Sequence, residues 1–92
     1  MKTDNHVKEL RMPALTLDFV ESAMETLNRL ELEPNDNLDL SAVRQIDTAG
    51  AQLLISYART TGVRYKNLTD EIQTFFQTAG FATAFKQFEV YP

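Results

Sequence analysis

The feature that most narrows the folds open to this chain is a repeated change of hydrophobic period. Three stretches carry apolar residues at spacings of three and four, and the short stretches around them alternate every second residue. From His6 to Met12, Leu10 and Met12 fall on one side and Val7, Glu9 and Arg11 on the other, so a charged strand is expected, ended by Pro13. A helix follows, with Leu17, Val20, Met24 and Leu27 as its apolar stripe and Ala23 and Leu30 widening it. Thr16 or Asp18 is the candidate cap. Glu31 to Asn37 breaks this helix, with turn chemistry in Pro34-Asn35-Asp36-Asn37.

Leu38-Asp39-Leu40 reads as a second strand. A second helix starts at Thr48 or Ala49, turns Leu53, Leu54, Tyr57 and Ala58 inward, and stops at Gly62. Val63 to Lys66 is a third strand. Thr69 caps a third helix with Asp70 and Glu71 in its first turn, where the helix dipole favours acids. Ile72, Phe75, Phe76 and Ala79 form its apolar face and Gly80 closes it. Phe85 to Tyr91 alternates as a last strand.

The order strand, helix, strand, helix, strand, helix, strand requires crossovers, so an α/β domain of about four mainly parallel strands with right-handed connections is expected. Strands buried on both faces read as continuous apolar runs. These alternate instead, leaving Glu9, Arg11, Asp39, Arg64, Lys66, Gln87 and Glu89 opposite the apolar residues. All three helices are therefore expected on one face of the sheet, with a wet, mixed-charge face behind it and a homodimer through that face left open.

Length and charge set the remaining bounds. Ninety-two residues make one domain, expected over 6–92 behind a frayed 1–5. A net charge of −4, with Lys and Arg scattered among acids, argues against nucleic acid as a partner. No apolar run nears the ~20 residues of a membrane span, no secretory signal is visible, and Cys is absent. A cytoplasmic, non-inserted protein is the simplest expectation.

Few residues offer chemistry. His6, the single histidine, reads as a surface residue, and with no Cys it makes no metal site. Asp18, Glu21 and Glu25 share one solvated helix face rather than forming an acid–base pair. No nucleophile–base pair and no glycine-rich phosphate loop is present, so neither enzymatic activity nor a cofactor is expected. What stands out is the corner Asp47-Thr48-Ala49-Gly50-Ala51. Thr48 there is a candidate helix cap, its hydroxyl accepting from the N–H of Gly50 or Ala51. Glycine in a first helical turn is unfavourable, so something must approach its backbone closely. The sheet beneath and a docking partner explain Gly50 equally well at this point.

The segment from Leu38 to Leu54, with Asp39-Leu40-Ser41 and then Asp47-Thr48-Ala49-Gly50 opening a helix, resembles the signature of the STAS family. That domain is shared by sulfate transporters and anti-sigma factor antagonists. The resemblance extends through the order of elements from about His6 to Val90. Three positions depart from the family pattern: Ala51 replaces a usual Leu, Pro13-Ala14-Leu15-Thr16 stands where Gly-Glu-Leu-Asp is common, and a strand of longer members is missing ahead of His6.

The resemblance implies a non-enzymatic module that binds a protein through Asp47, Thr48, Ala49, Gly50 and Gln52. In the antagonist branch the residue after the motif Asp, here Thr48, is the regulatory phosphoacceptor of a partner that is both anti-sigma factor and kinase. The dephosphorylated form binds that partner and releases a sigma factor. Two other branches imply other partners: the ATPase of a phospholipid ABC transporter, or a protein of a chemotaxis-type phosphorelay.

Overall fold

The computed structural model describes residues 7–80. Five short strands and three α-helices alternate along them: β1 (Val7–Glu9), β2 (Ala14–Leu15), α1 (Val20–Leu30), β3 (Asn37–Asp39), β4 (Gln45–Ile46), α2 (Thr48–Thr61), β5 (Arg64–Lys66) and α3 (Asp70–Thr78). A 3-10 turn at Leu17–Phe19 leads into α1. The class is α/β with parallel strands, as expected, but the strands divide differently. Among the described residues the main sheet has three strands in the order β1-β3-β5, and β2 and β4 form a separate parallel pair. The expected strand from Phe85 to Tyr91 lies outside the described residues.

Register explains which face is dry. Lys8, Leu38 and Tyr65 sit side by side across the main sheet, flanked by the rows Val7–Asn37–Arg64 and Glu9–Asp39–Lys66. Side chains of a strand alternate between faces, so the central row points one way and the flanking rows the other. Leu38 and Tyr65 are fully buried, whereas Glu9 is exposed and Asp39, Arg64 and Lys66 are half-buried. Leu10, Leu40 and Val63 continue the dry face, and Leu27 of α1, Leu54 of α2 and Ile72 and Phe76 of α3 complete a single core with it. Over these strands the face opposite the core carries mixed charge, exposed at β1 and half-buried at β3 and β5.

Lys8 is the exception on the dry side. It is half-buried, and its ammonium donates to the Leu30 carbonyl at the end of α1, where a cation complements the helix dipole.

Helix ends follow local chemistry. Gly62 (φ 80°) and Gly80 (φ 87°) take the left-handed conformation after α2 and α3. Thr69 caps α3 by accepting from the Ile72 N–H at 3.4 Å, and its hydroxyl donates to the Val43 carbonyl at 2.8 Å. In the turn before β3, the Glu33 N–H donates to the Asp36 carboxylate at 2.8 Å, and that aspartate is buried.

α1 departs from expectation. It begins at Val20 rather than near Leu17, and it buries Ala23 and Leu27. Leu17 is 73% exposed and Met24 49%, although both belonged to the expected inward stripe. The 3-10 turn changes the phase before the α-helix starts, so spacing counted back to Leu17 no longer predicts its direction. Thr16 precedes that turn without a side-chain cap bond.

Candidate functional site

The corner at the start of α2 is built by β2 and β4, two strands too short to show any period. After β3 the chain turns at Ser41, whose N–H donates to Asp39 at 2.7 Å. Val43 is buried, and the Arg44 and Gln45 N–H groups donate to the Pro13 carbonyl at 2.8 and 3.1 Å. Proline cannot donate to a ladder but can accept, and here Pro13 opens the second strand pair instead of ending pairing. The Asp47 N–H then donates to the Leu15 carbonyl at 3.2 Å.

Asp47, not Thr48, is the cap of α2. Its backbone is extended (φ −129°, ψ −172°), and one carboxylate oxygen accepts from the Gly50 N–H at 3.0 Å. The expected cap at Thr48 is off by one residue: three positions separate Asp47 from Gly50, the offset at which a cap side chain reaches an orphan N–H. The other oxygen of Asp47 accepts from the Leu17 N–H, also at 3.0 Å. One side chain thus joins the first turn of α2 to the turn that precedes α1. Backbone bonds from Leu17 and then Gly50 hold the Asp47 carboxyl below the usual range, so it is ionised at neutral pH.

Gly50 is resolved by contact. A Cβ at this position would lie 1.9 Å from the Leu15 carbonyl oxygen, 2.7 Å from its carbon and 2.9 Å from the Leu15 Cβ. The close approach is to β2 of the same chain. Gly50 and Ala51 are both buried, which removes them from the surface on which a partner was expected to rest. Of the residues expected at the interface, Thr48 and Gln52 are exposed, Asp47 and Ala49 are half-buried, and Gly50 is inside.

Thr48 occupies the first position of α2 with its side chain in solvent. Among the described residues no group shares a hydrogen bond with its hydroxyl. Beside this corner, the turn tied down by Asp47 presents Leu17 and Phe19, the latter 45% exposed. Sequence periodicity put Leu17 on the inward stripe of the first helix and did not mark Phe19; both lie in the 3-10 turn instead. A third candidate cluster sits at the ends of β3 and β5. Asp39 accepts from Ser41 and, at 2.7 Å, from the side-chain amide of Asn67. Burial pushes the Asp39 carboxyl up, and bonds from Ser41 and Asn67 with the charge of Lys66 outweigh it and hold it low.

Among the described residues no group of His, Asp and Glu side chains is arranged to hold a metal ion. No described helix is long and apolar enough to cross a membrane. Comparison with protein-family models, with curated proteins and with solved structures finds no match for this chain.

Proposed function

We propose that this chain is a STAS-like, anti-sigma factor antagonist-like regulatory binding module. It docks a protein partner through the exposed start of α2, at Thr48 and Gln52 with Leu17 and Phe19 beside them. Phosphorylation of Thr48 turns that docking off. The observation that carries the reading is the division of labour at the corner: Asp47 caps the helix, leaving the Thr48 hydroxyl exposed and unengaged by the described residues.

The energetics suit a switch. A phosphate adds about −1.5 to −2 charges and three acceptor oxygens. At a helix start the dipole favours an anion by ~0.3–1 kcal/mol, while the ionised Asp47 beside it opposes the gain. Neither contribution is large enough to unfold a domain. A partner covering Thr48, in contrast, has to desolvate the new dianion, at a cost of several kcal/mol unless it supplies an arginine. Each ~1.4 kcal/mol is tenfold in affinity, so the change falls on binding.

Thr48→Glu is the test. The native partner is co-purified with the wild-type chain, identified, and its affinity for both forms measured by calorimetry. The expected result is loss of binding by the Glu variant with a circular dichroism spectrum and melting temperature close to wild type. Equal affinity of the two forms for that partner would remove the switch.

A further inference from the structure

We infer that Asp47 is a latch for the 3-10 turn at Leu17–Phe19, and that an anion on Thr48 releases that turn. Phosphorylation then withdraws the apolar pair Leu17 and Phe19 from the docking surface as well as charging it. The inference rests on the switch reading of Thr48 and adds to it the part of the corner that moves.

Little else holds the turn. None of its three residues is buried, and Thr16 before it lends no side-chain cap. Its own bonds are local, from the Phe19 N–H to the Thr16 carbonyl at 2.8 Å and from the Val20 N–H to the Leu17 carbonyl. Such 3-10 bonds have poorer geometry than those of an α-helix. The flanks, in contrast, are anchored: Leu15 is buried and pairs with Ile46, and Ala23 is buried in α1. An exposed segment with few bonds between two packed ones is the kind that opens locally while the domain stays folded. Among the described residues, a single hydrogen bond reaches from the turn to a distant part of the chain, the Leu17 N–H to Asp47 at 3.0 Å.

Asp47 divides its carboxylate between that turn and the helix start, one oxygen on Leu17 and the other on Gly50. Thr48 is the next residue, its Cα about 3.8 Å away along the chain. A phosphate there sets like charge beside the carboxylate, and it is drawn to the same unpaired N–H groups of the first turn. Which bond yields is decided by solvent. The Leu17 bond is exposed, so water can take the place of the carboxylate. The Gly50 bond is partly buried, and breaking it leaves a poorly solvated N–H and an uncapped helix. The latch on Leu17 opens first.

The test uses the full isotopically labelled chain without a partner. Amide hydrogen exchange is followed by magnetic resonance in the wild type, Asp47→Asn, Thr48→Glu and Thr48→Gln. Asp47→Asn keeps one oxygen to cap Gly50 and loses the charge. This variant and Thr48→Glu are each expected to speed exchange at Leu17 by about tenfold, with the amides of Leu27, Leu54 and Tyr65 unchanged. Thr48→Gln, similar in size to Glu but uncharged, is expected to leave Leu17 as it is in the wild type. The latch is overturned by unchanged Leu17 exchange in either Asp47→Asn or Thr48→Glu, by equal speeding of the core amides, or by the same effect from Thr48→Gln. Partner affinity separates the latch from the switch. A Thr48→Glu chain that loses its partner while Leu17 stays protected keeps the switch and overturns the latch. One whose Leu17 opens while the partner binds as before keeps the latch and overturns the switch.

Discussion

Replacing Gly50 by alanine separates two accounts of the corner. In an ordinary helical position the change stabilises by about 1 kcal/mol, because alanine is the better helix former. At Gly50 the added methyl meets the Leu15 carbonyl oxygen at 1.9 Å and its carbon at 2.7 Å. Non-bonded carbon contacts sit near 3.5–4 Å, so β2 or the first turn of α2 has to retreat by more than about 1 Å. Overpacking of this kind costs roughly 1–3 kcal/mol where side chains can yield. Here the obstacle is backbone, held by the bond from the Asp47 N–H to Leu15 at 3.2 Å and from the Leu17 N–H to Asp47 at 3.0 Å. Loosening both adds about 1 kcal/mol each. Taking off the propensity gain leaves a net loss of ~2–4 kcal/mol. For a domain of this size that lowers the melting temperature by roughly 8–30 °C. Urea unfolding followed by circular dichroism should show a lower midpoint with an unchanged slope. A melting temperature equal to wild type or higher would refute the packing account of Gly50 and return it to the surface.

Two further outcomes follow from hydrogen bonds around the core. Asp47→Ala removes the cap of α2 and is expected to cost ~1–2 kcal/mol at neutral pH. The folded-state pKa of Asp47 is depressed, so its contribution is full above the unfolded value of about 4 and fades as pH falls through the folded one. The stability gap between wild type and Asp47→Ala should therefore narrow in acid, and a gap constant from pH 7 to 2 counts against the two N–H bonds. Tyr65→Phe deletes the buried hydroxyl that donates to the Leu54 carbonyl at 2.7 Å, joining β5 to α2. Its expected cost is ~0.5–1.5 kcal/mol by urea denaturation, with no change in spectrum, and a more stable variant contradicts that bond.

What could be read from the chain beforehand was what short-range chemistry decides. Gly62, Gly80 and the Thr69 cap are each fixed by the few residues around them, and each stands where expected. The alternation of β3 and β5 likewise announced a sheet dry on one side. The errors share a different cause. β2 and β4 have two residues each, fewer than one full alternation, so their pairing exists only through tertiary contact. Pro13 looked like a terminator because its missing donor is visible in sequence and its accepting carbonyl is not. Leu17 lay at helical spacing, yet a 3-10 turn that no spacing rule foresees separates it from the phase set by Ala23 and Leu27; Met24 is in that phase but lines the open groove between α1 and α2 and stays half-exposed.

The same distinction sharpens the candidate site by subtraction. Asp47 is accounted for by the two N–H groups it accepts from, Gly50 by Leu15 against its α-carbon, and Ala51 by its place in the core. Folding gives each of these a reason to be what it is, and none of the three needs a partner. Thr48 has no such reason. Its neighbour already caps the helix, and its side chain is in water. Three of the residues that first marked the corner are thus explained by stability. What stability leaves is Thr48 and the half-buried Ala49, and of these only Thr48 brings a reactive group, an exposed hydroxyl at a helix start, where the functional reading of this chain has to be tested.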